Sequence, residues 1–310
     1  MEVVTVVANL TVGIATLDRP TGLARCVDAL LSGDTLPAEI IIVDQSANDT
    51  TQAVVEQRKG NDLRIIYIHQ KRCGLSVSRN AVIARASYPI IAVTDDDCVP
   101  DAGWVRAIDR AFTSSNNVAD AVAGRVLPLG PDTHGLYEVS SRHNRSRCEF
   151  TGKTMPWIVG TGANFAVKRE WFRRIGNFDE RLGVGSPGKA GEDADVIYRL
   201  LRAGAHVLYE PDVVIYHERQ SKARRLATRW SYGYGIGAFC GIWLRRGDSY
   251  SLRVLARWLY WQCRDLVIAS VRWQWLEAYQ RWLSLMGTLG GLIYGLCCKR
   301  FSNAYQGGVQ

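Results

Sequence analysis

Residues 90–100 read IIAVTDDDCVP, an apolar run of strand length that ends in three adjacent carboxylates and, three residues later, a proline. Three like charges side by side repel one another and gain nothing from packing, so a purely structural chain has little reason to place them there. A divalent cation such as Mg²⁺ or Mn²⁺ supplies a reason, because it takes carboxylate oxygens and keeps open positions for the phosphates of a substrate. The alternative is a solvated acidic turn after a strand, and the rest of the chain has to decide between the two.

The composition separates the chain into two parts. Its 310 residues are 47% hydrophobic, which fits one large α/β domain with an appendage or two small domains. Residues 1–218 hold 24 Lys and Arg against 27 Asp and Glu, whereas residues 219–310 hold 14 against 3 and seven of the ten tryptophans. We therefore predict a catalytic domain at 1–218 and a basic, Trp-rich helical extension at 219–310 that meets an anionic surface.

The cysteines and the N-terminus bear on the cellular compartment. The eight cysteines include no C-x-x-C pair and no zinc spacing, which favours reduced thiols in a cytosolic protein. The first residues lack a basic segment followed by an apolar run and a cleavage site, so no signal peptide is predicted.

Strand and helix patterns alternate along the first hundred residues. The predicted strands are 3–15, 39–43, 63–68 and 90–94, and the predicted helices are 21–30 with Thr21 as N-cap, one opening at 48–50, and 75–86. This alternation predicts βαβ units and a doubly wound, mostly parallel sheet flanked by helices. Ligands bind beyond the carboxyl ends of such strands, so we expect Thr16, Asp44 and the acidic residues 95–97 to converge on one site.

The phosphate-binding loops of the common nucleotide folds are missing from the sequence. The first strand is not followed by GxGxxG, and GxxxxGK[ST] occurs nowhere in the chain. A bound diphosphate would need another counter-charge, and a metal held by Asp95 and Asp97 supplies it.

The second half adds a further acidic cluster and a histidine. A glycine-rich loop at 183–191, expected to be a mobile lid, leads into Glu192 and Asp193 at the start of a predicted helix. Simple capping by acidic residues at a helix N-terminus is the alternative explanation of this cluster. A strand at 213–217 ends in His217, and a lone histidine is more often structural than a ligand.

With both halves in view, residues from about 10 to 218 resemble a family 2 glycosyltransferase of the GT-A fold. The segments that carry the resemblance, in that family's order, are Ala15-Thr16, residues 41–44 (IIVD), residues 74–80 (GLSVSRN), Asp95-Asp96-Asp97, Gly162-Ala163-Asn164, residues 176–180 (GNFDE), Glu192-Asp193 and residues 211–217.

The resemblance implies a metal-dependent, inverting sugar transferase and assigns roles to matching residues. Those assigned to the nucleotide-sugar are Thr16, Arg19, Asp44, Arg79, Asp95 and Asp96. Those assigned to the divalent metal, Mn²⁺ or Mg²⁺, are Asp95, Asp97 and His217. Asp193 matches the catalytic base, with Glu192 beside it on the acceptor side, and we further assign Trp157, Asn164 and Trp230 to the acceptor. Gln45 stands where many relatives have a second aspartate, which leaves the selectivity for the base open.

The extension mixes arginines with tryptophans, as in helices that lie in a membrane interface. Residues 282–298 are apolar except for Ser, Thr and four glycines, so crossing the membrane and monotopic insertion both stay open. The alternative is an amphipathic helical subdomain packed on the catalytic domain. Residues 226–230 partly match the QxxRW motif of processive synthases, but Leu226 replaces the glutamine and several long spans are missing. We therefore predict the addition of a single sugar.

The predicted function is transfer of a sugar from a nucleotide-sugar donor to a lipid-linked or other membrane-proximal glycan in cell-surface polysaccharide synthesis. The expected location is the cytoplasmic face of the membrane, bound to its anionic surface and not to nucleic acid. A nucleotidyltransferase is the first alternative, but it leaves Glu192, Asp193 and His217 without a role. A non-catalytic nucleic-acid-binding protein is the second, but the aliphatic runs of the extension are too long for a solvated basic patch.

Overall fold

The structure is a computed structural model that describes residues 6–60, 62, 64–114 and 119–298, so the predicted strand residues 3–5 and 63 lie outside the described residues. The elements up to the last long strand are β1 (Val6–Thr16), α1 (Pro20–Leu31), β2 (Thr35–Asp44), α2 (Thr50–Lys59), β3 (Ile65–His69), α3 (Leu75–Arg85), β4 (Ile90–Asp95), β5 (Cys98–Pro100), α4 (Trp104–Thr113), β6 (Ala121–Pro128), β7 (Leu136–Tyr137), β8 (Cys148–Phe150), α5 (Pro156–Val159), β9 (Asn164–Lys168), α6 (Glu170–Ile175), α7 (Glu192–Arg202) and β10 (Val207–His217). The C-terminal elements are β11 (Gln220–Ser221), α8 (Lys222–Arg245), α9 (Tyr250–Val271) and α10 (Trp275–Cys297).

Within the described residues, nine strands form one sheet in the order β3-β2-β1-β4-β9-β6-β10-β5, with β8 paired to β10. β1 runs parallel to both β2 and β4, and the register aligns Thr16 with Asp44 and Ala15 with Asp95. Because parallel neighbours end at the same edge, Thr16, Asp44 and the acidic stretch lie at one edge of the sheet, as predicted.

The rest of the sheet is mixed, whereas the prediction was a mostly parallel sheet. β9 runs antiparallel to both of its neighbours, β4 and β6, while β6 and β10 are parallel. Asn164, the first residue of β9, pairs with Thr94. The chain therefore enters β9 from the edge where Asp95 lies, and this direction places the preceding residue Gly162 at the same edge.

The central strands are buried on both faces, as their continuous apolar sequences indicate. Ile40 and Ile42 of β2 belong to a core with α1, α2 and α4, whereas Ile41 and Val43 belong to a core with α3, α6 and α7. Alternate residues of one strand point to opposite faces, so β2 needs apolar side chains at every position. The sheet is thus the middle of three layers.

Helix α1 begins two residues earlier than the predicted N-cap at Thr21 implies. Pro20 lies in its first turn and Arg19 precedes it as the N-cap residue, so Thr21 lies inside the helix. Proline suits this position because the first amides of a helix have no partner within it. The first turn also packs on the acidic stretch, since a Cβ on Gly22 would lie 2.8 Å from the carbonyl oxygen of Asp96.

The C-terminal helices pack on the sheet-containing part through a third hydrophobic cluster. It joins Leu182 and Tyr198 to Phe239 and Trp243 of α8 and to Val254 of α9. The indole of Trp243 also donates a hydrogen bond to the buried carboxylate of Asp195, at 2.7 Å. The packing predicted as the alternative for this region is therefore present.

Helices α8 and α10 approach each other through glycines repeated every four residues. The glycines are Gly233, Gly237 and Gly241 on α8 and Gly287, Gly291 and Gly295 on α10. A Cβ on Gly237 would lie 2.1 Å from the carbonyl oxygen of Thr288, and one on Gly291 would lie 1.9 Å from that of Tyr234. Small residues at this spacing let two helix backbones touch. Three of the four glycines in residues 282–298, the segment considered for membrane insertion, therefore serve the packing of α10 on α8. No described helix is both long and apolar enough to cross a bilayer.

Candidate active site

The acidic stretch forms a turn at the edge where β1, β2 and β4 end. Asp95 is the last residue of β4 and Cys98 the first of β5, so the two aspartates between them make the turn. β5 pairs antiparallel with β10, and the register places Cys98 opposite His217. The His217 Nε2 atom consequently lies 3.5 Å from Asp97 Oδ1.

These residues form a candidate metal centre. Asp95, Asp97, Cys98 and His217 each offer one ligand atom, and those atoms lie within 4.8 Å of one another. Carboxylate and imidazole ligands fit Mn²⁺, and the carboxylates also fit Mg²⁺. Sequence reasoning missed Cys98, which is fully buried. Burial, and then the charges of Asp95 and Asp97, raise the pKa of its thiol well above the ordinary value, and a protonated thiol is a poor ligand.

Asp96 is held by protein groups. The hydroxyl of Thr16 donates to Asp96 Oδ2 at 2.8 Å, and Arg19 Nη1 donates to Asp96 Oδ1 at 2.9 Å and to Asp97 Oδ2 at 2.6 Å. Burial raises the pKa of Asp96 to about 6, an effect that the charge of Arg19 partly offsets and that of Asp97 reinforces. Thr16 and Arg19 therefore fix the acidic turn and also lie at the predicted nucleotide site.

Asp44, which we predict to contact the nucleoside base, does not line the cleft that contains Thr16, and its role at the base stays a prediction. Its side chain is fully buried, with Oδ1 accepting from the Ser46 amide and Oδ2 from the Tyr67 hydroxyl, both at 2.8 Å. Gln45 reaches the cleft instead, and its Oε1 accepts from the backbone amides of residues 73–74. A carboxylate at a strand end can bind the following turn as well as a ligand, and the sequence does not distinguish the two.

Arg79 connects the metal centre to the acidic start of α7. Its Nη2 donates to Asp95 Oδ1 and to the carbonyl of Gly162, each at 3.1 Å, and its Nη1 donates to Glu192 Oε1 at 3.0 Å. The Gly162 amide in turn donates to Asp193 Oδ2 at 2.8 Å. Arg79 is only 4% exposed, so these acceptors occupy its guanidinium. Arg79 lines the cleft that contains Asp193 and not the cleft that contains Thr16, and the prediction that it binds the base or diphosphate stays a prediction.

The two acidic residues at the start of α7 differ in environment. Glu192 is buried, and burial raises its pKa to about 7, with the Asp193 charge adding to the effect and Arg79 opposing it. Asp193 is half-exposed, and its Oδ1 accepts from the Ala194 amide at 2.7 Å. Burial alone would lower the pKa of Arg79, but the surrounding carboxylates outweigh burial and raise it. Asp193, the predicted base, is thus the accessible member of the pair.

Two clefts meet at the metal centre. The Thr16 cleft, of about 420 Å³, is lined by Thr16, Arg19, Gln45, the three aspartates of the turn and Arg224, among others. The Asp193 cleft, of about 640 Å³, is lined by Arg79, Glu192, Asp193, Trp157, Arg229, Tyr232 and Trp258, among others. Asp95 and His217 line both clefts. Groups bound in the two clefts would therefore meet beside Asp95.

Trp157 is the one predicted acceptor residue that lines the Asp193 cleft. Its ring lies 5.3 Å from that of Trp258, edge to face. Sequence reasoning missed Trp258 and Tyr232, which also line this cleft. Both lie in the extension, whose aromatic content indicated a membrane and not a cleft.

The other two residues assigned to the acceptor, Asn164 and Trp230, line neither cleft, and their contact with an acceptor stays a prediction. Asn164 is 1% exposed; its side chain accepts from the Trp104 indole at 2.9 Å and donates to two backbone carbonyls. These hydrogen bonds join β9 to α4, β6 and β10. Trp230 packs on Tyr234, with ring centroids 5.0 Å apart, and lines neither cleft.

The glycine-rich loop at 183–191 is anchored along its length. The Leu75 amide donates to the Val184 carbonyl at 2.9 Å, and the Ser186 hydroxyl donates to the Gly183 carbonyl at 2.7 Å. A Cβ on Gly191 would lie 2.7 Å from the carbonyl oxygen of Gly235, so the end of the loop packs on α8. Val184 is exposed and lines both clefts. The loop is therefore packed against α3 and α8 and lines both clefts, and its movement as a lid stays a prediction.

Known proteins share both the sequence pattern and the fold. Residues 11–176 match the family described as glycosyl transferase family 2. The pre-mycofactocin glycosyltransferase of Mycobacterium tuberculosis is 23% identical over 254 residues, which cover 80% of this chain and 50% of that protein. The succinoglycan biosynthesis protein ExoM of Rhizobium meliloti is 24% identical over 233 residues, 71% of each chain. This chain thus spans half the length of the mycobacterial relative and more of the rhizobial one.

A solved structure agrees with the fold over nearly the whole chain. The mannosyltransferase PcManGT from Pyrobaculum calidifontis, in complex with GDP-Man and Mn²⁺, matches 94% of this chain and 88% of its own with a TM-score of 0.60 at 15% identity. At this identity the likeness shows the GT-A fold. Because the family match covers more than half of the residues, the chain belongs to glycosyl transferase family 2.

Proposed function

We propose that this glycosyltransferase moves a single sugar from a nucleotide-sugar in the Thr16 cleft to a hydroxyl of an acceptor in the Asp193 cleft. The observation that carries the proposal is the bridge from Asp95 through Arg79 and Gly162 to Asp193, at the place where the clefts meet. A donor and an acceptor that enter from opposite clefts would react beside this bridge. Attack opposite the leaving diphosphate gives inversion at the anomeric carbon.

Asp95, Asp97 and His217 would hold Mn²⁺ or Mg²⁺, and their oxygen and nitrogen donors suit either cation. When bound, the cation stabilises the charge that develops on the departing diphosphate. Arg19 and Arg224, whose guanidinium nitrogens lie 2.6 and 3.5 Å from Asp97, add positive charge to the same cleft. The Mn²⁺ in the PcManGT complex supports the same use of this fold.

Asp193 would remove the proton of the acceptor hydroxyl as the new glycosidic bond forms. Hydrogen bonds from the Gly162 and Ala194 amides orient its carboxylate, and the half-exposed position leaves it open to the cleft. Glu192 is buried and bound to Arg79, so it would support the geometry without taking the proton. Arg79 would keep the donor side and the base at a fixed separation.

We propose residues 1–218 as the catalytic domain and residues 219–310 as an extension that completes both clefts. Arg224 and Tyr232 of α8 line the Thr16 cleft, and Tyr232 and Trp258 line the Asp193 cleft. The acceptor would be a lipid-linked or other membrane-proximal glycan in cell-surface polysaccharide synthesis. The name of ExoM, which refers to succinoglycan biosynthesis, supports a role in polysaccharide synthesis.

The outer side of α9 and α10 supports attachment to the anionic, cytoplasmic surface of a membrane. Large apolar side chains are exposed there, among them Val271 at 72%, Trp273 at 75%, Trp275 at 62% and Ile293 at 65%. Exposed arginines such as Arg264, whose guanidinium lies 3.9 Å from the ring centroid of Trp261, are on the same helices. Aromatic and basic side chains together favour the interface of an anionic bilayer.

The catalytic proposal is tested by nucleotide release from UDP-, GDP- and dTDP-sugars, with Mn²⁺, Mg²⁺ or EDTA. We expect metal-dependent release from one donor, its loss in Asp97→Ala, and donor binding without turnover in Asp193→Asn. Asp212→Asn is the matched control because Asp212 is exposed and lines neither cleft. Absence of any nucleotide affinity with either metal would end the transferase proposal.

The membrane proposal is tested by flotation of the full chain with vesicles of phosphatidylcholine alone or with phosphatidylserine added. We expect flotation only with the anionic vesicles and its loss in Trp273→Ala/Trp275→Ala. A gel shift with single-stranded DNA runs beside it. Binding to DNA without flotation would replace the membrane by nucleic acid as the partner.

A further inference from the structure

Two arginines that line the Asp193 cleft, Arg142 and Arg229, form no ion pair with a described residue. Arg142, Arg225 and Arg229 all line this cleft. Within the part of the chain that the structure describes, Arg142 donates only to backbone carbonyls, those of Ile158 and Trp157. In the Thr16 cleft, by contrast, every lining arginine that is not exposed forms an ion pair with an aspartate.

Arg229 is the clearest case. Across the described residues, its half-buried guanidinium makes no hydrogen bond and no ion pair with the protein. Arg225 lies one turn earlier on α8 and has a neutral amide, Gln280, at 2.8 Å and the carboxylate of Glu277 only at 4.0 Å. Burial lowers the pKa of Arg229, and the charges of Arg225 and Arg281 lower it further. Like charges one turn apart destabilise a helix, so this arrangement costs stability.

Arg229 and Tyr232 of α8 both line the cleft that contains Asp193. Tyr232 lies on the same helix, and its hydroxyl is 3.5 Å from Ser140 Oγ. Burial raises the pKa of Tyr232, the charges of Asp193 and Asp95 raise it further, and the charge of Arg229 opposes them. The charges of Asp193 and of Arg229 therefore both act on the hydroxyl group of Tyr232. Arg229 and Asp193 line the same cleft, so one acceptor could contact both.

We propose that Arg229, with Arg225 beside it, forms an anion subsite that binds a phosphate or carboxylate of the acceptor while a hydroxyl of the same acceptor lies at Asp193. This deepens the proposed function and rests on it. Arginine pairs with both anions through two parallel hydrogen bonds, so one chemistry has two possible sources. A lipid-linked acceptor would present the phosphate, and an acidic glycan would present the carboxylate.

The test titrates the full chain, in EDTA, with phenyl phosphate, phenyl β-glucuronide and phenyl β-glucoside by isothermal calorimetry. EDTA prevents the anions from binding through a metal at Asp97. We expect at least one anionic probe to bind tenfold more tightly than the neutral glucoside, and Arg229→Gln to abolish that advantage. Arg145→Gln is the control, because Arg145 is exposed and lines neither cleft.

The outcomes distinguish a phosphate from a carboxylate as the bound anion, and they show whether the subsite at Arg229 exists. Tighter binding of phenyl phosphate points to a phosphate, and tighter binding of the glucuronide to an acidic sugar. Equal affinity for all three probes, or an anion preference that survives Arg229→Gln, overturns the subsite. Because Arg229 is unpaired, we expect Arg229→Gln to keep or raise the thermal unfolding midpoint, so loss of binding would not reflect unfolding. The titration needs no nucleotide-sugar, so its result is independent of whether the donor panel fails.

Discussion

Gly162 is the residue at which the proposed geometry can be perturbed most sharply. A Cβ added there would lie 2.7 Å from Arg79 Nη1, 2.9 Å from Nη2 and 3.1 Å from Asp193 Cβ. Cβ atoms do not approach other heavy atoms within 3.0 Å, so the guanidinium has to move by several tenths of an ångström. Arg79 has little room to do so, because it is buried and bound to Asp95, Glu192 and Gly162.

We therefore expect Gly162→Ala to lower the free energy of unfolding by about 1–3 kcal/mol, the usual cost of overpacking a filled site. The larger effect should be on catalysis, since a displacement of about 1 Å in a reacting geometry costs on the order of 10²-fold in rate. A shift of about half that size predicts a fall in kcat of roughly tenfold. Affinity for the donor nucleotide should change little, because the Thr16 cleft does not include Gly162.

The assay is single-turnover transfer with the donor that the panel identifies, combined with urea unfolding of each variant. Gly103→Ala is the matched control. A Cβ there would also meet a guanidinium, that of Arg106 at 3.1 Å, but this side chain is 48% exposed and can move away. If Gly162→Ala transfers sugar at the wild-type rate, Arg79 and Asp193 do not act as a rigid pair and the argument is refuted. A loss of stability with unchanged kcat would leave only a packing role.

Three further predictions concern stability. Gly291→Ala should lower the free energy of unfolding in urea by about 1–3 kcal/mol or more, because its Cβ would lie 1.9 Å from a carbonyl oxygen of α8. The Cβ of Gly290→Ala would meet only an aromatic ring at 3.4 Å, so this control variant should be neutral or slightly stabilising. Equal effects of the two substitutions would refute the close packing of α8 and α10. The pKa of Glu192 is raised to about 7 from 4.5, so the folded state binds the proton of this carboxyl group more tightly than the unfolded state does. The free energy of unfolding of the wild type, relative to that of Glu192→Gln, should therefore fall as the pH rises from about 4.5 to 7 and then level off. Parallel pH profiles of the two proteins would contradict this. Trp243→Phe leaves the buried Asp195 without its indole donor and should cost about 1–3 kcal/mol, whereas no loss would show that the hydrogen bond is dispensable.

The sequence was sufficient to predict the edge of the sheet at which the site lies. Strand patterns are local, and the residue that ends a strand can be read from the point where the apolar run stops. Thr16 and the acidic turn were placed together for this reason, and the register of β1 with β4 agrees. His217 was placed with them by family resemblance, and the pairing of β5 with β10 supplies the physical cause.

The direction in which each side chain points could not be predicted in the same way. Asp44 and Asn164 have the residue type and the position of ligands, but buried donors and acceptors from other elements occupy them. Arg79 was assigned to the nucleotide, although partners more than eighty residues away take its hydrogen bonds. Such contacts depend on how the elements pack, which a local pattern does not contain.

The extension links the two halves of the proposed function. Residues of α8, among them Thr228 and Tyr232, line both clefts, and the glycines of α8 and α10 bring the two helix backbones into direct contact. A helix pair in backbone contact cannot shift without opening the glycine contacts, so the exposed aromatic side of α10 is rigidly connected to the cleft wall on α8. If that side binds the bilayer, the distance of Arg229 and Asp193 from the membrane surface is fixed by helix packing. The subsite at Arg229 would then select acceptors whose anionic group lies at that height, and the hydroxyl presented to Asp193 would be the one at the matching distance along the acceptor.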